Sequence, residues 1–203
     1  MEKRMTRLIG LTGGIATGKS AVSHYLKTKN IPVIDADVIT HQVEEKGQAG
    51  YQAILTVFGD SIVAKDGQID RQRLGKLVFS NKGYLKQLVR TIDPFIRDEI
   101  LRQFIQNTQS PLTVLDAPTL FENGYAHIVD ELVVVYCDPV TQLHRLMERN
   151  QLSISQASDR IKNQWPLQTK RNLADTIIYN SGTIDQTHAQ VDDWLATETN
   201  QTR

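Results

Sequence analysis

A single cysteine, Cys137, stands in a chain of 203 residues, so no disulfide can close within the chain and stability has to come from a buried core. Its place at the end of an apolar run marks it as a small packing residue and agrees with a reducing compartment. Neither sign of charge is in excess: 23 Lys and Arg balance 23 Asp and Glu, for a formal net charge of zero. That removes the global basic field that draws proteins to nucleic acid or anionic membranes, and any anion must be held by a local site. Long hydrophobic runs are also missing. Nothing approaches the roughly 20 apolar residues that cross a bilayer, and the charged stretch Met1 to Arg7 contains no signal-peptide core. The expectation is a cytoplasmic protein with small-molecule partners and with neither nucleic acid nor membrane among them. Oligomeric state leaves no mark. Tryptophan is scarce, and Trp165 and Trp194 read as packing residues. The five histidines, His24, His41, His127, His144 and His188, form no metal-site spacing.

The order of elements is clear. Leu8 to Thr12 is a short apolar run that stops at paired glycines, and Lys19 to Lys29 carries helical spacing at Val22, Tyr25 and Leu26. A short strand at Ile31–Ile34 runs into Asp35-Ala36-Asp37. From about 37 to 109 no strand is predicted, while helical periodicity recurs, with Asp93-Pro94 read as a helix start before Ile96, Ile100 and Phe104. Continuous apolar strands return at Leu112–Leu115 and Leu132–Tyr136, as expected for strands buried on both faces of a parallel sheet, and a fifth follows at Thr176–Tyr179. The alternation predicts an α/β, doubly wound fold with ligands bound beyond the carboxyl ends of the strands. The tail from about Thr197 reads as disordered.

Gly13-Gly14-Ile15-Ala16-Thr17-Gly18-Lys19-Ser20 matches G-x-x-x-x-G-K-[ST] in full, between a predicted strand and a predicted helix. Glycines let backbone N–H groups converge on phosphate oxygens, and the following helix turns its unpaired N–H groups toward the same anion. Lys19 supplies a cation to the β and γ phosphates, and Ser20 a hydroxyl to Mg²⁺. Nucleoside triphosphate binding follows. Asp37 is placed to take the proton of an acceptor hydroxyl. Asp35-Ala36-Asp37 also fits a helix N-cap, with Asp35 the better cap and Asp37 the better base. Asp116 ends the third strand, a position suited to Mg²⁺ directly or through water but also to an ordinary turn. Glu122 could serve the same pocket or start a helix. Arg145 and Arg149 lie four apart and so share a helix face. With Arg160 and Arg171 they suggest a closing lid, against the alternative of a solvated polar face.

Several segments together resemble one family. They are Gly10 to Ile15 with Gly18-Lys19-Ser20, Val33-Ile34-Asp35-Ala36-Asp37, Arg73 to Phe79, Val114 to Glu122, Thr141-Gln142-Leu143 with Arg145 and Arg149, Arg160-Ile161, Gln164, Ala174-Asp175, and Asn180-Ser181-Gly182. The chain resembles the dephospho-coenzyme A kinase family. That resemblance implies a P-loop nucleoside triphosphate hydrolase-like fold, with a five-stranded parallel sheet flanked by helices. It also implies one kinase domain over 1–203, with a helical acceptor-binding lobe at about 37–110 and a lid at about 145–175. ATP would be the donor, with Mg²⁺, and the ribose 3′-hydroxyl of dephospho-coenzyme A the acceptor, in the last step of coenzyme A biosynthesis. Asp37 matches the catalytic base; Gly13 to Ser20, with Ala21 behind them, match the nucleotide loop. Asn180 and Gly182 match a loop near the adenine. Ala16 stands where the family commonly has glycine, Thr17 where it has serine, Ala21 where it has Ser or Thr, and Asp93 where it often has His. Another small-molecule or nucleotide kinase with the same core is the alternative. A GTP switch is disfavoured because Asn81-Lys82-Gly83-Tyr84 lacks the guanine-reading aspartate.

Overall fold

The fold was analysed in a computed structural model that describes residues 6–201. In chain order, β1 (Arg7–Gly13), α1 (Lys19–Thr28) and β2 (Val33–Asp35) come first. They lead into four helices, α2 (Ala36–Val43), α3 (Ala49–Phe58), α4 (Arg71–Ser80) and α5 (Lys82–Gln106). The chain then returns to β3 (Leu112–Asp116) and β4 (Glu131–Tyr136), followed by α6 (Pro139–Asn150), α7 (Ile154–Lys162), α8 (Leu167–Asn172), β5 (Thr176–Tyr179) and α9 (Ile184–Gln201). These elements form two compact units. One holds the sheet, comprising the chain up to Ile34 and from Gln106 onward; the other is the segment Asp35–Ile105.

The sheet is parallel, with strand order β2-β3-β1-β4-β5. Central β1 pairs Ile9 with Val114 of β3 and Leu11 with Val133 of β4. A strand covered on both faces cannot alternate polar and apolar residues, which is why six of the seven residues of β1 and all five of β3 are buried. Val22 and Leu26 of α1 and Val191 and Trp194 of α9 close over Ile9, Leu11, Val114, Val133, Val135 and Ile178. Helix starts follow local chemistry. Asp138 caps α6 ahead of Pro139 at its first turn, and Ser153 and Gln156 form a reciprocal capping box on α7.

Three expectations are corrected. Asp93-Pro94 does not start a helix, because Pro94 lies inside the 25-residue α5. An internal proline costs about 3 kcal/mol; burial of Ile92, Ile96 and Ile100 along one face and the Arg97–Asp93 pair at 2.7 Å offset it. The tail is not disordered through residue 201. Trp194 and Glu198 are buried in α9, where Trp194 Nε1 donates to Glu131 (3.0 Å) and Arg7 pairs with both Glu131 and Glu198. Residues 202 and 203 lie outside the described residues. The second strand begins at Val33 rather than Ile31, although the Pro32 carbonyl still accepts from Val114 N at 2.9 Å. Within Asp35–Ile105, an isolated antiparallel bridge joins Val63 to Ile69 beside a single 3-10 turn at Asp60–Ile62.

Because Ile9 is fully buried on the central strand, truncating it should be graded. Ile9→Val should lose about 1 kcal/mol and Ile9→Ala about 2–5 kcal/mol in denaturant unfolding. Equal stability of the two variants would contradict a close-packed core at this strand.

Candidate active site

The loop predicted to hold phosphate joins the end of β1 to the start of α1. Gly18 caps α1 with φ at 92°, a conformation that L residues avoid, and a side chain there would collide with the amide of Asn180. A Cβ on Gly14 would lie 2.7 Å from Gln142 Nε2. The turn is closed by Thr17, whose N–H and hydroxyl both donate to the Gly14 carbonyl at 3.2 and 2.9 Å. Ala16 has φ at 62°, so alanine in place of the family's glycine carries a strain of about 1–2 kcal/mol.

Side chains from the sheet unit hold the loop from outside. Gln142 Nε2 donates to the Ile15 carbonyl (2.9 Å), Asn180 Nδ2 to the Thr17 carbonyl (2.8 Å) and Lys170 Nζ to the Gly13 carbonyl (3.4 Å), while Gln164 Oε1 accepts from Ile15 N (2.7 Å). A trans peptide points its N–H away from its C=O. Drawing the carbonyls of residues 13, 15 and 17 outward therefore turns the amides of residues 14, 16 and 18 toward the opposite side. Behind them stands the N-terminus of α1, with Lys19 and exposed Ser20 in its first turn and Ala21 N bonded to the Gly18 carbonyl at 2.9 Å. This is a cradle for an anion.

Two ion pairs lie at the carboxyl end of the sheet. Lys19 Nζ donates to Asp116 Oδ1 at the tip of β3, and Asp116 is 4% exposed. Lys170, on α8, is 0% exposed and meets Glu122 at 2.8 Å and the Pro118 carbonyl at 2.9 Å. Glu122 also accepts from Trp165 N at 3.1 Å, and Trp165 stacks on Phe121 with ring centroids 5.8 Å apart. Glu122 thus belongs to this cluster rather than to a helix start. The contacts of Lys170, Gln142 and Gln164 were not foreseen, since no local pattern marks which polar side chain will reach the loop.

The arginines do not converge. Arg145 donates to the Asn180 carbonyl at 2.6 Å, whereas exposed Arg149 donates to neighbouring Asn150 at 3.0 Å. Arg160 is exposed, and Arg171 lies over Tyr136 and Tyr179, 5.0 and 5.7 Å from their ring centroids. Asn180, 5% exposed just past β5, is committed to the loop: besides Thr17 it accepts from the Thr187 hydroxyl at 2.8 Å. Gly182 is exposed two residues on. In the other unit, Asp35 caps α2 by accepting from the backbone N–H groups of Asp37 and Val38, both at 3.0 Å. Asp37 is exposed in the first turn of α2, two residues past the end of β2.

Two further ionisable groups follow the end of β4. Cys137 is fully enclosed, and burial pushes its thiol up to about 11, so it is no nucleophile. Asp138 is held down at about 2 by hydrogen bonds from the Thr141 hydroxyl, then the Thr141 N–H, then the Ser181 hydroxyl.

A glycine loop, lysine and helix at the carboxyl end of the central parallel strand, with an acid ending the adjacent strand, define a protein of the P-loop fold. A family model described as dephospho-CoA kinase matches residues 7–186. The chain is 45% identical over 193 residues to the dephospho-CoA kinase of Oceanobacillus iheyensis, covering 94% of this chain and 97% of that protein. Among solved structures, dephospho-CoA kinase from Campylobacter jejuni matches with a TM-score of 0.74 at 27% identity, covering 98% of this chain and all of that one. A Thermus thermophilus protein matches with a TM-score of 0.83 at 28% identity, over 95% of this chain and 98% of that one. The chain belongs to the dephospho-CoA kinase family and is a kinase of coenzyme A biosynthesis.

The depressed carboxyl of Asp138 gives a pH prediction. Its folded-state value lies below the ordinary 3.8, so its stabilising contribution is present above that value and is lost as pH falls toward 2. By NMR its carboxyl carbon should titrate near 2, and in Thr141→Val the midpoint should rise toward 3.8. An unchanged midpoint in the variant would remove the Thr141 hydrogen bonds as the cause.

Proposed function

We propose that Gly13 to Ser20 bind the triphosphate of ATP, that Asp37 is the base for the ribose 3′-hydroxyl of dephospho-CoA, and that transfer of the γ-phosphoryl group to it yields coenzyme A and ADP. The observation that carries the nucleotide half is the set of loop carbonyls drawn outward by side chains, which leaves inward amides at the N-terminus of α1 beside Lys19. Phosphoryl transfer needs little covalent chemistry from the protein, so positioning and charge dominate. On nucleotide binding, Lys19 turns from Asp116 to the β and γ phosphates. Ser20 and Asp116 offer hard oxygen donors and fit Mg²⁺, which is ordinarily held by one or two protein oxygens together with phosphates and water. When bound it would supply charge neutralisation at the β and γ phosphates.

The acceptor half rests on Asp37. It belongs to the helical segment Asp35–Ile105, to which we assign the acceptor-binding role. Asp35 spends its carboxylate on the α2 cap, which makes Asp37 the base of the pair. We assign the lid to about 145–175. Arg149, at the exposed end of α6, is its candidate for the transferring phosphoryl group, while Arg145 braces the Asn180 loop beside the nucleotide. Ala21, Asn180 and Gly182 complete the nucleotide site. We assign the reaction to the cytoplasm. Among the described residues no helix is long and apolar enough to cross a membrane.

Lys19→Ala should lose at least a hundredfold in turnover, about 2.7 kcal/mol of transition-state stabilisation. Near-normal turnover in the folded variant would remove the loop from the mechanism. Asp37→Asn should bind ATP with little change by calorimetry yet phosphorylate dephospho-CoA about a hundredfold more slowly. Phosphorus NMR of the wild-type product should show the new phosphate on the 3′ oxygen. A phosphate elsewhere, or a variant as fast as wild type, would sink the assignment of Asp37.

A further inference from the structure

Lys170 is the one buried lysine among the described residues, at 0% exposure. An ammonium is strongly hydrated, and enclosing it is costly unless a counter-charge and further acceptors replace the water. Here Glu122 supplies the charge at 2.8 Å, and the carbonyls of Pro118 and Gly13 accept at 2.9 and 3.4 Å. Those three acceptors come from the segment after β3 and from the first residue of the phosphate loop. Lys170 itself begins the last turn of α8, whose preceding connection sends Gln164 to Ile15 N and Trp165 N to Glu122. Its ammonium is spent on Glu122 and on the Pro118 and Gly13 carbonyls, whereas that of Lys19 meets Asp116 at the tip of β3.

We propose that Lys170 is a positioning residue for phosphoryl transfer. By drawing the Gly13 carbonyl outward it turns the Gly14 amide and the start of the loop into the anion-receiving orientation, and it does so without touching substrate. The inference rests on the reading that this loop binds ATP.

Calorimetric ATP titration and thermal unfolding of the wild type, Lys170→Met and Glu122→Gln, with binding measured well below each Tm, test it. Methionine keeps the length and apolar stem but releases Gly13, Pro118 and Glu122. Glutamine breaks the ion pair yet leaves Lys170 to hold the Gly13 carbonyl. Both variants should lose stability, Lys170→Met by roughly 10 °C. Lys170→Met should bind ATP at least tenfold more weakly, while Glu122→Gln should stay within about threefold of wild type. A purely structural role would leave the affinity of folded Lys170→Met unchanged, or would weaken both variants alike, and either result overturns the proposal. A wild-type protein with no measurable ATP affinity would instead overturn the reading of the loop itself.

Discussion

Everything at the site depends on a constraint of backbone geometry: a peptide that turns its N–H toward an anion turns its C=O the other way, and where that C=O is buried it needs a partner. Between Gly13 and Gly18 that requirement is met by side chains rather than by secondary structure. Gln142 arrives from α6, Asn180 from the end of β5 and Lys170 from α8, each taking one loop carbonyl. The strand order places β4 beside β1 and β5 beside β4, so the segments leaving these neighbouring strands emerge next to the loop. The sheet topology thus decides which side chains can reach the loop carbonyls.

The two lysines illustrate different uses of buried charge. Lys19 pairs with Asp116, one of the groups assigned to the metal, so its pairing is one that a bound nucleotide can replace. Lys170 pairs with Glu122 and two backbone carbonyls that are no part of the proposed substrate contacts, so its pairing persists. A buried ion pair is weak evidence for stability, because desolvation cancels much of the attraction. Its value here is directional, since it sets where one carbonyl points. The same economy appears in Asn180, whose side-chain amide is taken up by Thr17 and Thr187. Any part it has in the proposed nucleotide site therefore runs through the loop backbone.

At the opposite end of the strands, Arg7 lies between Glu131 and Glu198, with burial first and the neighbouring Glu131 second in raising the Glu198 carboxyl. This cluster ties β1, β4 and α9 together. It also explains why the C-terminal helix stays ordered where its sequence is polar: Trp194 and Glu198 are fixed by partners more than 60 residues away.

Much of this protein was legible in its order of residues, and the physical reason is locality. A strand buried on both faces writes a continuous apolar run, so β3, β4 and β5 were placed to within a residue or so. A G-x-x-x-x-G-K-[ST] motif is written over eight consecutive positions, so Gly13 to Ser20 needed no tertiary information to be recognised, and that motif together with Asp35-Ala36-Asp37 and Val114 to Glu122 carried the resemblance to the family. What was not legible depends on contacts across the chain. Pro94 reads locally as a helix start, and only the buried isoleucines of α5 make a continuous helix the lower-energy choice. Arg145 and Arg149 share a face by spacing, yet one braces Asn180 and the other faces solvent. Lys170 looks like any lysine on a polar helix. Its burial, and its hold on a carbonyl 157 residues away, were decided only when the fold brought α8 against the start of the loop, because no local pattern records which side chain will meet a distant peptide group.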